Sequence, residues 1–131
     1  MIRKSRDIEA CRSIHSVCMP YDAFPSGPHY WLAYVSGRPA GYASGEINKF
    51  GELFISGAAV LPEYRGQGIQ RALTRAQMQW AKRNGAEWAM TYTMRDNPHS
   101  YNNYQKCGFH YYEPDFAFAG RRHVLYWRRK L

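Results

Sequence analysis

Arg65-Gly66-Gln67-Gly68 stands between an apolar segment ending at Val60-Leu61 and a helical pattern that stops at Asn84-Gly85. Residue types in that order can do chemistry. A helix begins with unpaired backbone N–H groups and a partial positive charge, and both attract anions. Glycines just ahead of it let the backbone approach a phosphate with no side chain in the way. Arg65 adds a guanidinium able to pair with phosphate oxygens. Three readings compete for the segment: a plain turn, a nucleotide-type phosphate site, or a narrower signature.

The two best-known glycine loops do not fit. A P-loop needs a lysine and then Ser or Thr after its second glycine, whereas Ile69-Gln70 follow Gly68. The dinucleotide fingerprint needs a third small residue at the position Arg71 occupies. The longer run Val60-Leu61-Pro62-Glu63-Tyr64-Arg65-Gly66-Gln67-Gly68-Ile69 resembles instead the signature of the GNAT superfamily of N-acetyltransferases. Arg65 and Gly68 fit that family's Arg/Gln-x-x-Gly-x-Gly/Ala consensus, and Gln70 departs from it at the last, small position. A second stretch, NPHSYNNYQKCGF from Asn97 to Phe109, is similar to the family's Asn-x-x-Ala-x-x-x-Tyr-x-x-x-Gly-Phe segment. Asn97, Tyr104, Gly108 and Phe109 match it in register, with Ser100 or Tyr101 near the usual alanine.

The resemblance implies an N-acetyltransferase that passes an acetyl group from acetyl-CoA to a primary amine of a small molecule or peptide, by direct attack in a ternary complex. It implies cofactor contacts at Ala59, Val60, Arg65, Gly66, Gln67, Gly68, Ile69, Gln70, Asn97 and Tyr104. Backbone N–H groups around Ala59 and Val60 would face the acetyl carbonyl and the pantetheine arm, freed from the sheet by a bulge near Gly57. Tyr104 would be the general acid beside the sulfur. Glu52 and Glu46 are both candidates for the base. By analogy the acceptor pocket would be formed by the loop at 19–29, with Tyr21, Phe24, Tyr30 and Trp31.

Other constellations were weighed beside this one. Cys11, His15 and Cys18 share a helical face at i, i+4 and i+7, but a zinc site needs a fourth ligand, so they read as core and no metal is expected. Arg121-Arg122 and Arg128-Arg129-Lys130, interleaved with Tyr126 and Trp127, have the composition of a single-strand nucleic-acid surface or of a solvated strand end. A non-catalytic acyl-CoA-binding module, or a basic nucleic-acid-binding module of the same fold, is therefore the alternative function.

Elements must position these residues. Helical spacing predicts a helix over 7–18, capped by Asp7 or Ser5, and a Pro/Gly-rich loop over 19–29. Strands are predicted at 30–35 and 40–47, forming a hairpin, and at 52–61, with Gly57 marking a bulge or a close backbone approach. A helix follows, with Ile69, Ala72, Leu73, Ala76 and Trp80 on one face, then a strand at 87–94. Asn97-Pro98 opens a short helix to Lys106, and strands near 109–113 and 122–128 close the chain. This order predicts one domain, 1–131, of the α/β (α+β) class. Its sheet would be mixed, mostly antiparallel and twisted, with six to seven strands and helices on both faces.

The net charge of +8 lies mainly in the second half, where residues 61–131 hold twelve Lys/Arg against five Asp/Glu. Such an excess favours anionic partners and argues against a polycationic substrate. Three cysteines, an odd number without framework spacing, point to reduced thiols. No apolar run is long enough to span a bilayer, and the first sixteen residues lack the apolar core of a secretory signal, so a cytoplasmic protein without a membrane partner is expected. A homodimer is compatible with this reading.

Overall fold

A computed structural model of the chain describes residues 1–115 and 123–131. Arg121, Arg122 and the predicted start of the last strand at 122 lie outside the described residues. The order is β1 (Ile2–Ser5), α1 (Ile8–Cys18), β2 (His29–Val35), β3 (Arg38–Ile47), β4 (Glu52–Val60), α2 (Ile69–Arg83), β5 (Trp88–Met94), α3 (Pro98–Lys106), β6 (His110–Tyr112) and β7 (Val124–Lys130). A short 3-10 turn at Pro62–Tyr64 joins β4 to the glycine loop. All predicted elements are present within a residue or two of their predicted bounds.

The seven strands form one sheet in the order β1-β2-β3-β4-β5-β7-β6. Only β4 and β5 run parallel, and their ladder has three rungs: Glu52 to Trp88, Leu53 to Ala89 and Phe54 to Met90. Beyond Phe54 and Met90 the two strands part. Thr91 Oγ1 donates to the Ile55 carbonyl at 2.9 Å across the vertex of that splay.

Strand alternation assigns the helices to faces. Tyr30, Leu32, Tyr42 and Ala59 pack against Cys11 and Ile14 of α1. Trp31, Ala33 and Ala43 point the other way and meet Leu73 of α2. Leu53 and Ile55 share that second face with Met78 and Ala81 of α2 and Tyr104 of α3. The sheet is therefore covered by α1 on one side and by α2 and α3 on the other.

β1 has no counterpart in the sequence reading. Its residues IRKS show no apolar alternation, and only Ile2 packs with the core. Backbone pairing holds it at the edge: Ile2 to Ser5 pair antiparallel with Ala33 to Tyr30, and Met1 exchanges hydrogen bonds with Tyr34.

The face of α2 is also rotated from the predicted one. Its buried residues are Leu73, Thr74, Gln77, Met78 and Ala81, while Ile69, Ala76 and Trp80 lie at its margin. Two polar side chains are buried on this face: Thr74 Oγ1 donates to the Gln70 carbonyl at 3.0 Å, and Gln77 Nε2 donates to the Ser44 carbonyl at 3.0 Å, while Gln77 Oε1 has no hydrogen-bond partner among the described residues.

Candidate active site

The glycine loop closes against α3. Gly66 and Gly68 take φ of +80° and +77°, a left-handed conformation that an L side chain rarely adopts. Gly68 is the N-cap of α2 and offers no capping side chain, so the first amides of that helix stay open. They face a cavity of about 310 Å³ between α2 and α3. Arg65, Arg71, His99 and Lys106 line it, together with Asn102 and Asn103, and no carboxylate does. Arg71 Nε is buried there without a hydrogen-bond partner among the described residues. An orphaned guanidinium N–H in a cavity of cations and open helix amides is suited to a polyanion.

Arg65 itself is committed in part to the loop. Its Nε donates to the Val60 carbonyl at 2.9 Å, tying the segment back to the end of β4. Val60, Gly66, Gly68, Ile69 and Gln70 also line the cavity, with Gln70 half-buried at the predicted departure from the consensus. Gln67 is exposed and does not line it, and neither does Ala59. Arg71, His99, Asn102, Asn103 and Lys106 were not among the site residues read from the sequence. Arg71, in the first turn after Gly68, could have been found from helix geometry; the α3 residues could not.

The bulge is real and adjacent to its predicted position. Ser44 pairs with Gly57 and Gly45 with Ile55, which leaves Ser56 as the extra residue on β4. Its hydroxyl meets that of Ser44 at 2.9 Å. Gly57 also permits a close approach, since a Cβ there would stand 2.6 Å from Pro25 Cγ. Leu61 N–H donates to the Ala40 carbonyl on β3, so alternation turns the Val60 N–H toward the open splay and leaves the Ala59 N–H in the ladder opposite Tyr42.

Tyr104 lies at the vertex of the splay rather than in either cavity. It is 5% exposed, packs edge-on against Phe109 at 5.3 Å, and burial pushes its phenol up to about 12, opposed in part by a hydrogen bond with Thr91. Asn97 does not reach a cavity. Its side chain accepts the Ser100 N–H at 3.3 Å and caps α3.

Glu46 and Glu52 are brought together in a second cavity, of about 620 Å³, on the α1 face of the sheet where α1 does not reach. Phe54 and Met90, the last rung of the parallel ladder, form part of its wall. The loop aromatics assigned to an acceptor pocket by analogy do not line it. Tyr21 is 99% exposed, Phe24 stacks on Tyr30 beneath α1, and Trp31 lies on the opposite face against Trp80. The loop is instead anchored by His15, whose Nε2–H donates to the Asp22 carbonyl at 2.9 Å while Nδ1 accepts from the Tyr42 hydroxyl at 2.8 Å.

Cys11 is buried, the Cys18 thiol donates to the Val60 carbonyl, and both His15 nitrogens are engaged, so this helix face is occupied by packing and hydrogen bonds. Among the described residues no group of three or more His, Cys, Asp or Glu side chains is placed to hold a metal ion. No helix among them is long and apolar enough to cross a membrane.

The profile of the Acetyltransferase (GNAT) family matches residues 5–109. The chain belongs to the GNAT acetyltransferase family. Its relatives agree with that assignment. It is 32% identical over 94 residues to a mycothiol acetyltransferase from Nocardiopsis dassonvillei, covering 72% of this chain and 27% of that protein. It is 37% identical over 78 residues to N-alpha-acetyltransferase 30 from Schizosaccharomyces pombe, covering 56% of this chain and 52% of that one. The chain thus spans about a quarter to a half of the length of these relatives. Its fold is similar to that of the ribosomal-protein-S18-alanine N-acetyltransferase from Escherichia coli, with a TM-score of 0.82 at 17% identity over 99% of this chain and 92% of that one. A Bacillus subtilis acetyltransferase solved in complex with CoA gives a TM-score of 0.79 at 18% identity, covering 99% of this chain and 97% of that one. This GNAT chain has the fold of its family: seven strands, mostly antiparallel, between helices on both faces.

Proposed function

We propose that the chain transfers an acetyl group from acetyl-CoA to a primary amine of a small molecule or peptide, by direct attack within a ternary complex. The observation that carries this reading is the α2–α3 cavity, where open helix amides and the unpartnered Arg71 Nε meet at the end of β4. Arg65, Arg71 and Lys106 would hold the phosphates, and the acyl arm would run along the open edge of β4 toward Phe54. The acetyl donor is a substrate; the chain supplies binding, orientation and proton handling.

The amine attacks the thioester carbonyl, forming a C–N bond as the C–S bond breaks. The Val60 N–H, which strand alternation turns toward the splay, would be the backbone donor to the carbonyl oxygen. Tyr104 would give its proton to the departing thiolate, and a phenol raised to about 12 stays protonated through any neutral assay. Glu46 and Glu52, lining the cavity on the far side of the ladder, would take the proton of the incoming ammonium directly or through water. The presence in the same family of relatives named for mycothiol and for N-alpha acetylation supports an amine acceptor of either small or peptide type.

Acceptor-dependent thiol release from acetyl-CoA tests the activity, and Tyr104→Phe tests the acid. The variant should lose about 10²- to 10⁴-fold in kcat with CoA affinity retained. Equal losses in kcat and CoA affinity would make Tyr104 a core residue only.

In the described part of the C-terminal basic cluster, packing supports the acetyltransfer reading over a nucleic-acid surface. Tyr126 and Trp127 are buried, Arg128 lies over the Trp88 and Tyr112 rings at 4.1 and 5.1 Å, and Arg129 donates to the Cys107 carbonyl at the end of α3. Stacking faces that a single strand would need are already inside the protein.

A further inference from the structure

The second cavity has a charge of the wrong sign for this protein. The chain carries ten Asp/Glu in all at a net charge of +8, yet Glu46, Glu52, Glu113 and Asp115 all line this one space. They come from both of its sides: Glu46 and Glu52 from β3 and β4, Glu113 and Asp115 from the segment that follows β6. None has an ion-pair partner among the described residues. The one ion pair among the described residues joins Arg12 to Glu9, on α1. Glu113 accepts a hydrogen bond from the Tyr111 hydroxyl, which leaves its charge intact. Among the described residues Arg128 is the single cation in the lining; it is held over the Trp88 and Tyr112 rings and lies within 4.0 Å of no carboxylate.

Between the carboxylates the wall is mostly apolar, with Asn48 and Arg128 as its other polar members. Phe54, Met90, Phe50 and Tyr112 provide ring faces and a thioether along the floor, and Phe50 is left 68% exposed. Carboxylates at both sides with an apolar floor between them match a flexible chain with a positive charge at each end. A single ammonium would answer one pair of carboxylates and leave the other to repel itself. A zwitterion would bring a carboxylate among four others.

Resting on the acetyltransfer reading above, we propose that the acceptor is an aliphatic diamine or polyamine. One amine faces the thioester at the splay, and a second ammonium is held among the carboxylates of this cavity. Its methylenes lie along the apolar part of the wall, which includes Phe50, Phe54 and Met90. The net charge of the whole chain argued against a polycation, but charge is read locally: Arg65, Arg71 and Lys106 line the phosphate cavity with no carboxylate, and the acceptor cavity is acidic.

Three amines of similar length separate the terms: 1,5-diaminopentane, n-pentylamine and 6-aminohexanoate, in which the second group is an ammonium, a methyl or a carboxylate. Calorimetric titration of each into the CoA-loaded protein reads the preference without turnover, and acetyl transfer is then measured with each. The diamine should bind about ten-fold or more tighter than pentylamine, the factor set by a charge-assisted hydrogen bond, with 6-aminohexanoate weakest. Glu113→Gln with Asp115→Asn should shrink that gap, with CoA titration confirming that the variant is folded. Equal affinities, a preference for 6-aminohexanoate, or binding of none of the three overturns the proposal. Diamine-selective binding without acetyl transfer supports the cavity's selectivity and sinks the acetyltransferase reading, whereas transfer to pentylamine as readily as to the diamine does the reverse.

Discussion

Arg71 shows how a residue can weaken a free protein in order to serve a ligand. A buried N–H without a partner costs about 1–3 kcal/mol, and Arg71 Nε is in that condition beside the open amides of α2. Arg71→Leu should therefore leave the thermal midpoint of the ligand-free protein unchanged or raised. The same change should weaken CoA binding about ten-fold or more, because a hydrogen bond to a phosphate is worth about 1.5–3 kcal/mol. Melting curves and calorimetry on one preparation check both signs, and a fall in stability alongside affinity would make Arg71 a structural residue. Legibility at this scale followed chain locality. Helix-start chemistry made Arg65, Gly66 and Gly68 candidates for a phosphate site, and the family resemblance narrowed them to a CoA site. Lys106 and His99 could not be found this way, because α3 meets α2 in space and sequence spacing carries no such distance. Tyr104 was found through its register with Gly108 and Phe109, and nothing in that register shows that its hydroxyl reaches Thr91.

The elements were read well where apolar periodicity was strong and poorly where backbone bonds or polar contacts decide. β1 is a strand because β2 offers it an edge, a fact absent from the letters IRKS. The face of α2 was misplaced because Thr74 and Gln77 count as polar until their partners on Gln70 and Ser44 are known. Gly57 was read as marking a bulge or a close backbone approach; the bulge falls on Ser56 beside it, and what approaches Gly57 is the Pro25 ring. That approach can be tested. Gly57→Ala would set a methyl 2.6 Å from Pro25 Cγ, and overpacking of this kind costs about 1–3 kcal/mol. Urea denaturation should show a loss in that range, and Pro25→Ala in the same background should restore part of it. A loss unaffected by the second change would place the strain in β4 itself rather than in the loop.

Across the whole molecule, the sheet consists of two panels. β1 to β4 form one antiparallel panel, β5, β7 and β6 form the other, and three rungs between Glu52–Phe54 and Trp88–Met90 join them. The fold class was legible because strand, helix and strand at 52–94 demand a parallel crossover, while the hairpins demand antiparallel pairing. That the crossover strands would separate was not, since pairing length depends on the twist of both panels. The consequence is mechanical. A sheet fastened by so short a ladder should breathe along its seam well below the free energy of global unfolding, and a ligand lying across the gap should act as a clasp. Hydrogen–deuterium exchange is the measure: in the free protein the amides of Ser56, Ala58 and Val60 should exchange far faster than those of Tyr42 and Leu32, and saturating CoA should slow the first group while leaving the second unchanged.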